Sequence, residues 1–191
     1  MQKLMSNRLA VPAFLALLVV ALAFVMPSNF YFRVAALVWI SALAVIGLNL
    51  LMGFAGQVSL GHAGFFGLGA YSVAILPAQF GLHPVIALIA GAAGCALLAF
   101  VVGRPILRLK GHYLAVATLG FGILVSMVIS NEAWLTGGPD GMPVPRLTLF
   151  GWRARGSDTW YWITGGLMVI GALLAVNLVA SPTGRALRPR G

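Results

Sequence analysis

The chain has 191 residues, of which 61% are hydrophobic and 8% charged, with a net charge of +9 and a mean hydropathy of +1.01. A soluble domain carries roughly 25% charged residues, so a water-soluble fold is excluded and lipid is the natural solvent. The length suits one membrane domain with no separate catalytic domain beside it, and the basic residues form short clusters rather than the aromatic-interleaved stripe that binds nucleic acid.

A helix needs about 20 apolar residues to cross about 30 Å of hydrocarbon. The first such run is Leu9 to Met26, closed by Pro27. Its Lys3 and Arg8, with Ala21-Leu22-Ala23, mimic a signal peptide, but the apolar run is long for one and the small-residue site lies inside it. A retained helix is the reading adopted. Between Arg33 and Arg104 no residue is charged. That stretch holds three spans, predicted over Val34–Met52, His62–Ala78 and Pro84–Val102, with Pro77 and the Gly81–Pro84 turn separating the last two. A fifth span is predicted over Tyr113–Ser130 and a sixth over Trp160–Val179. The flanking Phe30, Tyr31 and Phe32, and Trp160, Tyr161 and Trp162, read as interface anchors. The fold class is therefore all-α: a polytopic membrane helical bundle of about six transmembrane helices.

The basic residues orient these spans. With the N-terminus inside, Lys3, Arg8, Arg104, Arg108, Lys110, Arg185, Arg188 and Arg190 are cytoplasmic, and only Arg33, Arg146, Arg153 and Arg155 are outside. Positive charge marks the cytoplasmic side, so both termini are predicted to be cytoplasmic. The acids Glu132, Asp140 and Asp158 all fall in an outer loop over residues 131–159, which is rich in turn formers. Glu132 reads as a solvated loop acid, and the turn of Arg104, Arg108, Lys110 and Gly111 as a cytoplasmic anchor.

One segment breaks the apolar pattern. Gly53-Phe54-Ala55-Gly56-Gln57-Val58-Ser59-Leu60-Gly61-His62 combines helix-weakening glycines with polar side chains. Such a Gly-rich interruption after the second span is either a cytoplasmic loop or an unwound stretch that faces a pathway, because broken backbone at membrane depth must be buried in protein or line a cavity. The candidate pathway residues are Gln57, Ser59, Gly61 and His62. Gly61, Gly64 and Gly67 place small residues along one helix face, which reads as close helix packing. His62 has no second ligand at metal-binding spacing and reads as a capping or hydrogen-bonding residue. Cys95 lies within an apolar run and reads as a small buried side chain.

Enzymatic readings fail on inventory. The sequence has no His/Glu zinc motif, no paired carboxylates within a span and no phosphate-cradling loop ending in Gly-Lys-Ser/Thr. No catalytic residue, metal site or cofactor is predicted, and any ATP hydrolysis belongs to another chain.

The order of motifs carries a resemblance. Leu48-Asn49-Leu50-Leu51 leads into the broken segment and on to Ala63-Gly64-Phe65-Phe66-Gly67-Leu68-Gly69-Ala70-Tyr71. Then come Leu107-Arg108-Leu109-Lys110-Gly111-His112-Tyr113, Ala117-Thr118-Leu119-Gly120-Phe121-Gly122, Thr136-Gly137-Gly138-Pro139-Asp140-Gly141 and Thr183-Gly184-Arg185-Ala186-Leu187-Arg188. Over about residues 45–188 this resembles the branched-chain amino acid ABC transporter permeases of the LivM type. The resemblance implies a permease subunit in the bacterial inner membrane that carries leucine, isoleucine, valine or a related small molecule such as urea or a short amide. It implies a second permease subunit, two cytoplasmic ATPase subunits and a periplasmic substrate-binding protein as partners, beside membrane lipid. It places Gln57, Ser59 and His62 near the translocation path. It also places Thr136, Gly137 and Gly138 in the outer loop facing the binding protein, and Arg185 and Arg188 at the start of the ATPase-coupling loop. In the family that loop continues into a coupling helix and further spans, whereas this chain turns to Pro189-Arg190-Gly191. Residues 1–191 are thus expected to be a single transmembrane permease domain, the N-terminal part of a longer permease. A non-transporting or degenerate scaffold subunit is the alternative.

Overall fold

The computed structural model describes residues 10–54, 56–109, 111–145, 147–149, 152–153, 156–181 and 184. The helices are α1 (Ala10–Val25), α2 (Asn29–Asn49), α3 (His62–Phe80), α4 (Pro84–Ile106), α5 (His112–Asn131), the single turn α6 (Ala133–Thr136) and α7 (Ser157–Ala180). A π-helical turn, Leu50–Phe54, extends α2, and a 3-10 turn, Gly138–Asp140, follows α6. Two short strands, β1 (Thr148–Leu149) and β2 (Trp152–Arg153), form an antiparallel hairpin between α6 and α7. Among the described residues, five helices are long and apolar enough to cross a membrane: Asn29–Phe54, His62–Phe80, Pro84–Ile106, His112–Asn131 and Ser157–Ala180. The first predicted span, Leu9–Met26, coincides with α1, whose 16 residues rise about 24 Å and which is shorter than the other five. The chain is an all-α polytopic membrane protein.

Local chemistry sets the helix ends. Pro27 follows α1, and Ser28 in extended conformation precedes α2. Gly81, left-handed at φ 63°, closes α3 with its N–H on Pro77 O at 3.0 Å. His83 then caps α4: its Nδ1 accepts from Val85 N at 3.4 Å, and Pro84 sits at the first helical position, where a missing N–H costs nothing.

Three boundaries differ from the sequence reading. Pro77 lies inside α3 rather than ending it, because in the last turn it removes a single backbone bond while its carbonyl still serves Gly81. α2 begins five residues before Val34 and takes Arg33 into the helix; near a helix end a long cationic side chain still reaches polar surroundings. α4 continues through Arg104, whose charge suits a helix C-terminus and whose guanidinium stacks on Phe100, 4.5 Å from the ring centre.

Contacts group the described residues into two compact units, one drawn from residues 1–56 and 155–191, the other from residues 57–154. The first unit holds α1, α2 and α7. Its core is Val19, Ala35, Trp39, Tyr161 and Met168. Tyr161 is fully buried, donates its hydroxyl to Val19 O at 2.6 Å, and meets Phe32 edge-on at 5.3 Å. It is therefore a core residue and not the interface anchor expected from its neighbours. Successive helical residues point about 100° apart, so Trp160 and Trp162 face outward while Tyr161 between them turns in. Gly165 lies against Val19 and Trp39, and Gly171 against Leu43. These partners ascend together along α2 and α7, so the two helices run parallel.

The second unit holds α3, α4, α5, α6 and the hairpin. α3 and α4 run antiparallel: Gly91 backs onto Ser72, and Cys95 Sγ lies 4.0 Å from Phe65 O. Cys95 is half-buried rather than sealed in. α3 and α5 run parallel, since Gly61, Gly64 and Gly67 meet Thr118, Gly122 and Ile129 in ascending order.

Candidate functional site

The helix after α2 does not simply turn around. The π turn Leu50–Phe54 widens the backbone, and residues 56–61 are non-helical before α3 starts at His62. Within the second unit, this segment is seated on α5. A Cβ on Gly61 would run into the backbone carbonyl oxygen of Thr118, and its carbonyl carbon would be 3.1 Å away. Only glycine allows that approach. One turn on, a Cβ on Gly64 would be 3.2 Å from Gly122 Cα. Phe65 and Phe121 stack beside this seam with ring centres 4.8 Å apart. The glycine face predicted for close packing is therefore a packing face, and its partner is α5.

The seam fixes a depth. Thr118 is six residues into α5, about 9 Å from its start at 1.5 Å per residue. Leu60 and Gly61 lie level with it, so the unwound segment reaches about two turns past the end of its neighbour instead of looping at the helix ends.

Of the four predicted pathway residues, Gln57, Ser59 and Gly61 lie in this segment and His62 opens α3, and they have different roles. Gly61 is buried and structural. Gln57 and Ser59 are half-buried, and neither side chain has a hydrogen-bond partner among the described residues. His62 is the first residue of α3 and makes no capping or other hydrogen bond among the described residues. The capping role expected of it falls to His83 instead, because His83 precedes a proline and can turn its ring onto the free Val85 N–H. The backbone groups of Gln57, Val58 and Ser59 are likewise without protein partners among the described residues. The segment thus offers amides, a hydroxyl and carbonyls as fixed neutral dipoles.

The predicted outer loop begins, after α5, as a compact knot. Thr136 is 2% exposed; its Oγ1 donates toward Ile129 O at 2.6 Å and Glu132 O at 3.0 Å and accepts from Gly138 N at 3.1 Å. Gly137 has φ 80° and sits against Gly141 O with no room for a Cβ. Gln79 Nε2 on α3 donates to Trp134 O at 3.1 Å, and Trp134 Nε1 donates to Glu132 Oε2 at 2.7 Å. Thr136 and Gly138 are buried, and the loop presents Trp134, Pro139 and Asp140 to its surroundings. Arg185 and Arg188 lie outside the described residues. In the first unit a groove of about 420 Å³ opens between α2 and α7, lined in part by Arg33, Ser157, Trp160 and Thr164; no predicted site residue is among its walls.

Sequence reasoning missed Thr118. It lies in an apolar span four residues before Gly122 and is part-buried. Its hydroxyl in an otherwise apolar run was the available signal.

Residues 30–190, which include the unwound segment, the α3–α5 seam and the outer knot, match the family described as the branched-chain amino acid transport system / permease component. The chain belongs to this family. The high-affinity branched-chain amino acid transport system permease protein LivM of Escherichia coli (strain K12) is 36% identical over 201 residues, covering 90% of this chain and 46% of that protein. Its namesake in Salmonella typhimurium (strain LT2) is 35% identical over 202 residues, with the same coverage. The chain therefore spans about half the length of these curated relatives, and no solved structure matches it. Membership of a permease family accounts for a membrane fold with a polar break and agrees with a transport subunit rather than an enzyme.

Proposed function

We propose that this permease forms part of the substrate path of an ATP-driven importer of branched-chain amino acids in the bacterial inner membrane. Residues 1–191 act in it as one transmembrane domain, beside a second permease subunit, two cytoplasmic ATPase subunits and a periplasmic substrate-binding protein. The observation that carries the reading is the unpaired chemistry of residues 57–59 beside a deep seat on α5. They lead into Leu60 and Gly61, which lie level with Thr118 about two turns past the start of α5, and their backbone and side-chain dipoles have no protein partner among the described residues. Irregular backbone at such depth is stable where it lines a water-filled cavity. A zwitterion suits it, since N–H and C=O groups can meet both its charges without a buried fixed charge. Alternating access would expose this segment first to the binding protein's side and then to the cytoplasm.

The experiment is uptake of radiolabelled leucine by cells carrying the complete transport system. Gln57→Leu is expected to lower uptake about tenfold, the worth of one polar group left unpaired, with normal amounts of protein in the membrane. Unchanged uptake would remove Gln57 from the path. The orientation is tested separately. In a Cys95→Ala chain, a cysteine replacing Arg108, which is exposed in the turn after α4, is expected to react with an impermeant thiol reagent only from the cytoplasmic face. Reaction from the periplasm reverses the topology.

A further inference from the structure

Among the described residues, the backbone of Gln57–Leu60 is tied down at a single point. Leu60 N donates to Thr118 Oγ1 at 3.0 Å, across 58 positions of sequence. The same hydroxyl donates its one hydrogen to Ala115 O, 3.0 Å away on its own helix. With that hydrogen committed to α5, the oxygen keeps its lone pairs for an outside donor, and Leu60 N–H is the donor it meets. The contact has two parts that do different jobs. Gly61 against the Thr118 carbonyl, with Gly64 on Gly122 Cα, fixes how close the segment lies. The hydrogen bond has direction, so it fixes the rotation of the chain at Leu60, and with it where Ser59 and Gln57 carry their side chains.

We propose that Thr118 is the positioning residue of the unwound segment: its hydroxyl clasps Leu60 N–H and so sets how Gln57 and Ser59 are presented to the substrate path. The proposal rests on the transport reading given above and adds to it a residue outside the segment. Threonine suits the task. Valine at the same site keeps the volume and removes the acceptor, which leaves Leu60 N–H without its partner. Serine keeps the acceptor and loses a methyl. One hydrogen bond shifts the balance between held and released forms by only about three- to tenfold. The clasp is therefore weak enough to open and close within a transport cycle, whereas the glycine seam beside it is not.

The test uses the 191-residue chain in membranes, with Cys95→Ala removing the native thiol and Ser59→Cys supplying a reporter. The rate of alkylation by N-ethylmaleimide is compared with Thr118, Thr118→Ser and Thr118→Val. The valine chain is expected to change the rate at least about threefold, while the serine chain matches the parent and a thiol from Asp140→Cys in the outer loop reacts alike in all three. Thr118→Ala replaces valine if that chain fails to reach the membrane. Equal Ser59→Cys rates in all chains overturn the clasp. Uptake by the complete system, with Ser59 restored, gives the second reading. Thr118→Val is expected to raise KM about three- to tenfold with maximal rate little changed, and Thr118→Ser to restore it. A changed alkylation rate with unchanged KM overturns the link to transport. If Gln57→Leu also leaves uptake intact, the transport reading itself fails, and the alkylation rates still decide whether Thr118 positions the segment.

Discussion

Gly61→Ala is expected to unseat α3 from α5 and to abolish leucine uptake by the complete system. A single methyl group does this because of what occupies the space. The new Cβ would coincide with the Thr118 carbonyl oxygen, with the carbonyl carbon 3.1 Å and Phe121 Cδ1 3.5 Å away. The oxygen belongs to the backbone of a helix and cannot rotate aside. The start of α3 must move instead, which breaks the Leu60–Thr118 hydrogen bond and opens the Gly64–Gly122 contact, itself only 3.2 Å deep for a Cβ. Overpacking of this kind costs about 1–3 kcal/mol, and the lost hydrogen bond adds about 1 kcal/mol. Close approach of small residues is a main source of helix association in lipid, so little else in the seam compensates. The measurement is thermal unfolding in detergent beside uptake. Gly69→Ala is the control. It lies in α3, about two turns beyond Gly61, with nothing within 4 Å of its Cβ position, and alanine is the better helix former by about 1 kcal/mol. It is expected to match or exceed the parent in stability. Equal damage from both substitutions would mean that loss of a glycine as such, and not the seam, is responsible.

The contrast between these glycines shows what sequence patterning can and cannot reveal here. Five of the predicted spans were legible as membrane-length helices, and the first as the shorter apolar helix α1, because hydropathy and length answer to the bilayer alone; the Gly81–Pro84 turn was legible because glycine and proline act locally. The polar break was legible for the same reason: Gln57, Ser59 and the surrounding glycines stand out against an apolar run. Its depth was not, because depth depends on which helix the segment lies against. The spacing of Gly61, Gly64 and Gly67 announced a close neighbour without naming it, since α5 begins 50 residues further on. Thr118 was hidden for that reason, its partner Leu60 being 58 positions away. Tyr161 was misjudged because composition places three adjacent aromatics together, whereas helical rotation separates them. The loop after α5 is the instructive case. Thr136-Gly137-Gly138 was recognisable as a motif and expected to face a partner, yet the threonine is turned inward.

That burial makes Thr136→Val the second large effect. Valine has nearly the same shape, so packing is kept while three hydrogen-bonding opportunities vanish. Ile129 O and Glu132 O lose the hydroxyl that serves them at the end of α5, and Gly138 N–H, itself buried, loses its acceptor. An unsatisfied buried donor or acceptor costs about 1–3 kcal/mol, so the expected destabilisation is about 2–3 kcal/mol. It should appear as a lower unfolding temperature and as faster proteolysis within residues 131–145. Thr136→Ser keeps the hydroxyl and is expected to behave nearly as the parent. A valine chain as stable and as protease-resistant as the parent would show that water replaces the hydroxyl without penalty. The functional consequence follows from what the knot holds in place. Trp134, Pro139 and Asp140 are exposed around it, and their positions depend on the left-handed Gly137 and Gly138, the second of which the Thr136 hydroxyl holds by its N–H. If this loop receives the substrate-binding protein, Thr136→Val weakens that docking through residues it never touches. Asp140→Ala would weaken it directly, with unfolding temperature unchanged. Comparing the two separates a loop that is merely well folded from one that is folded in order to be read.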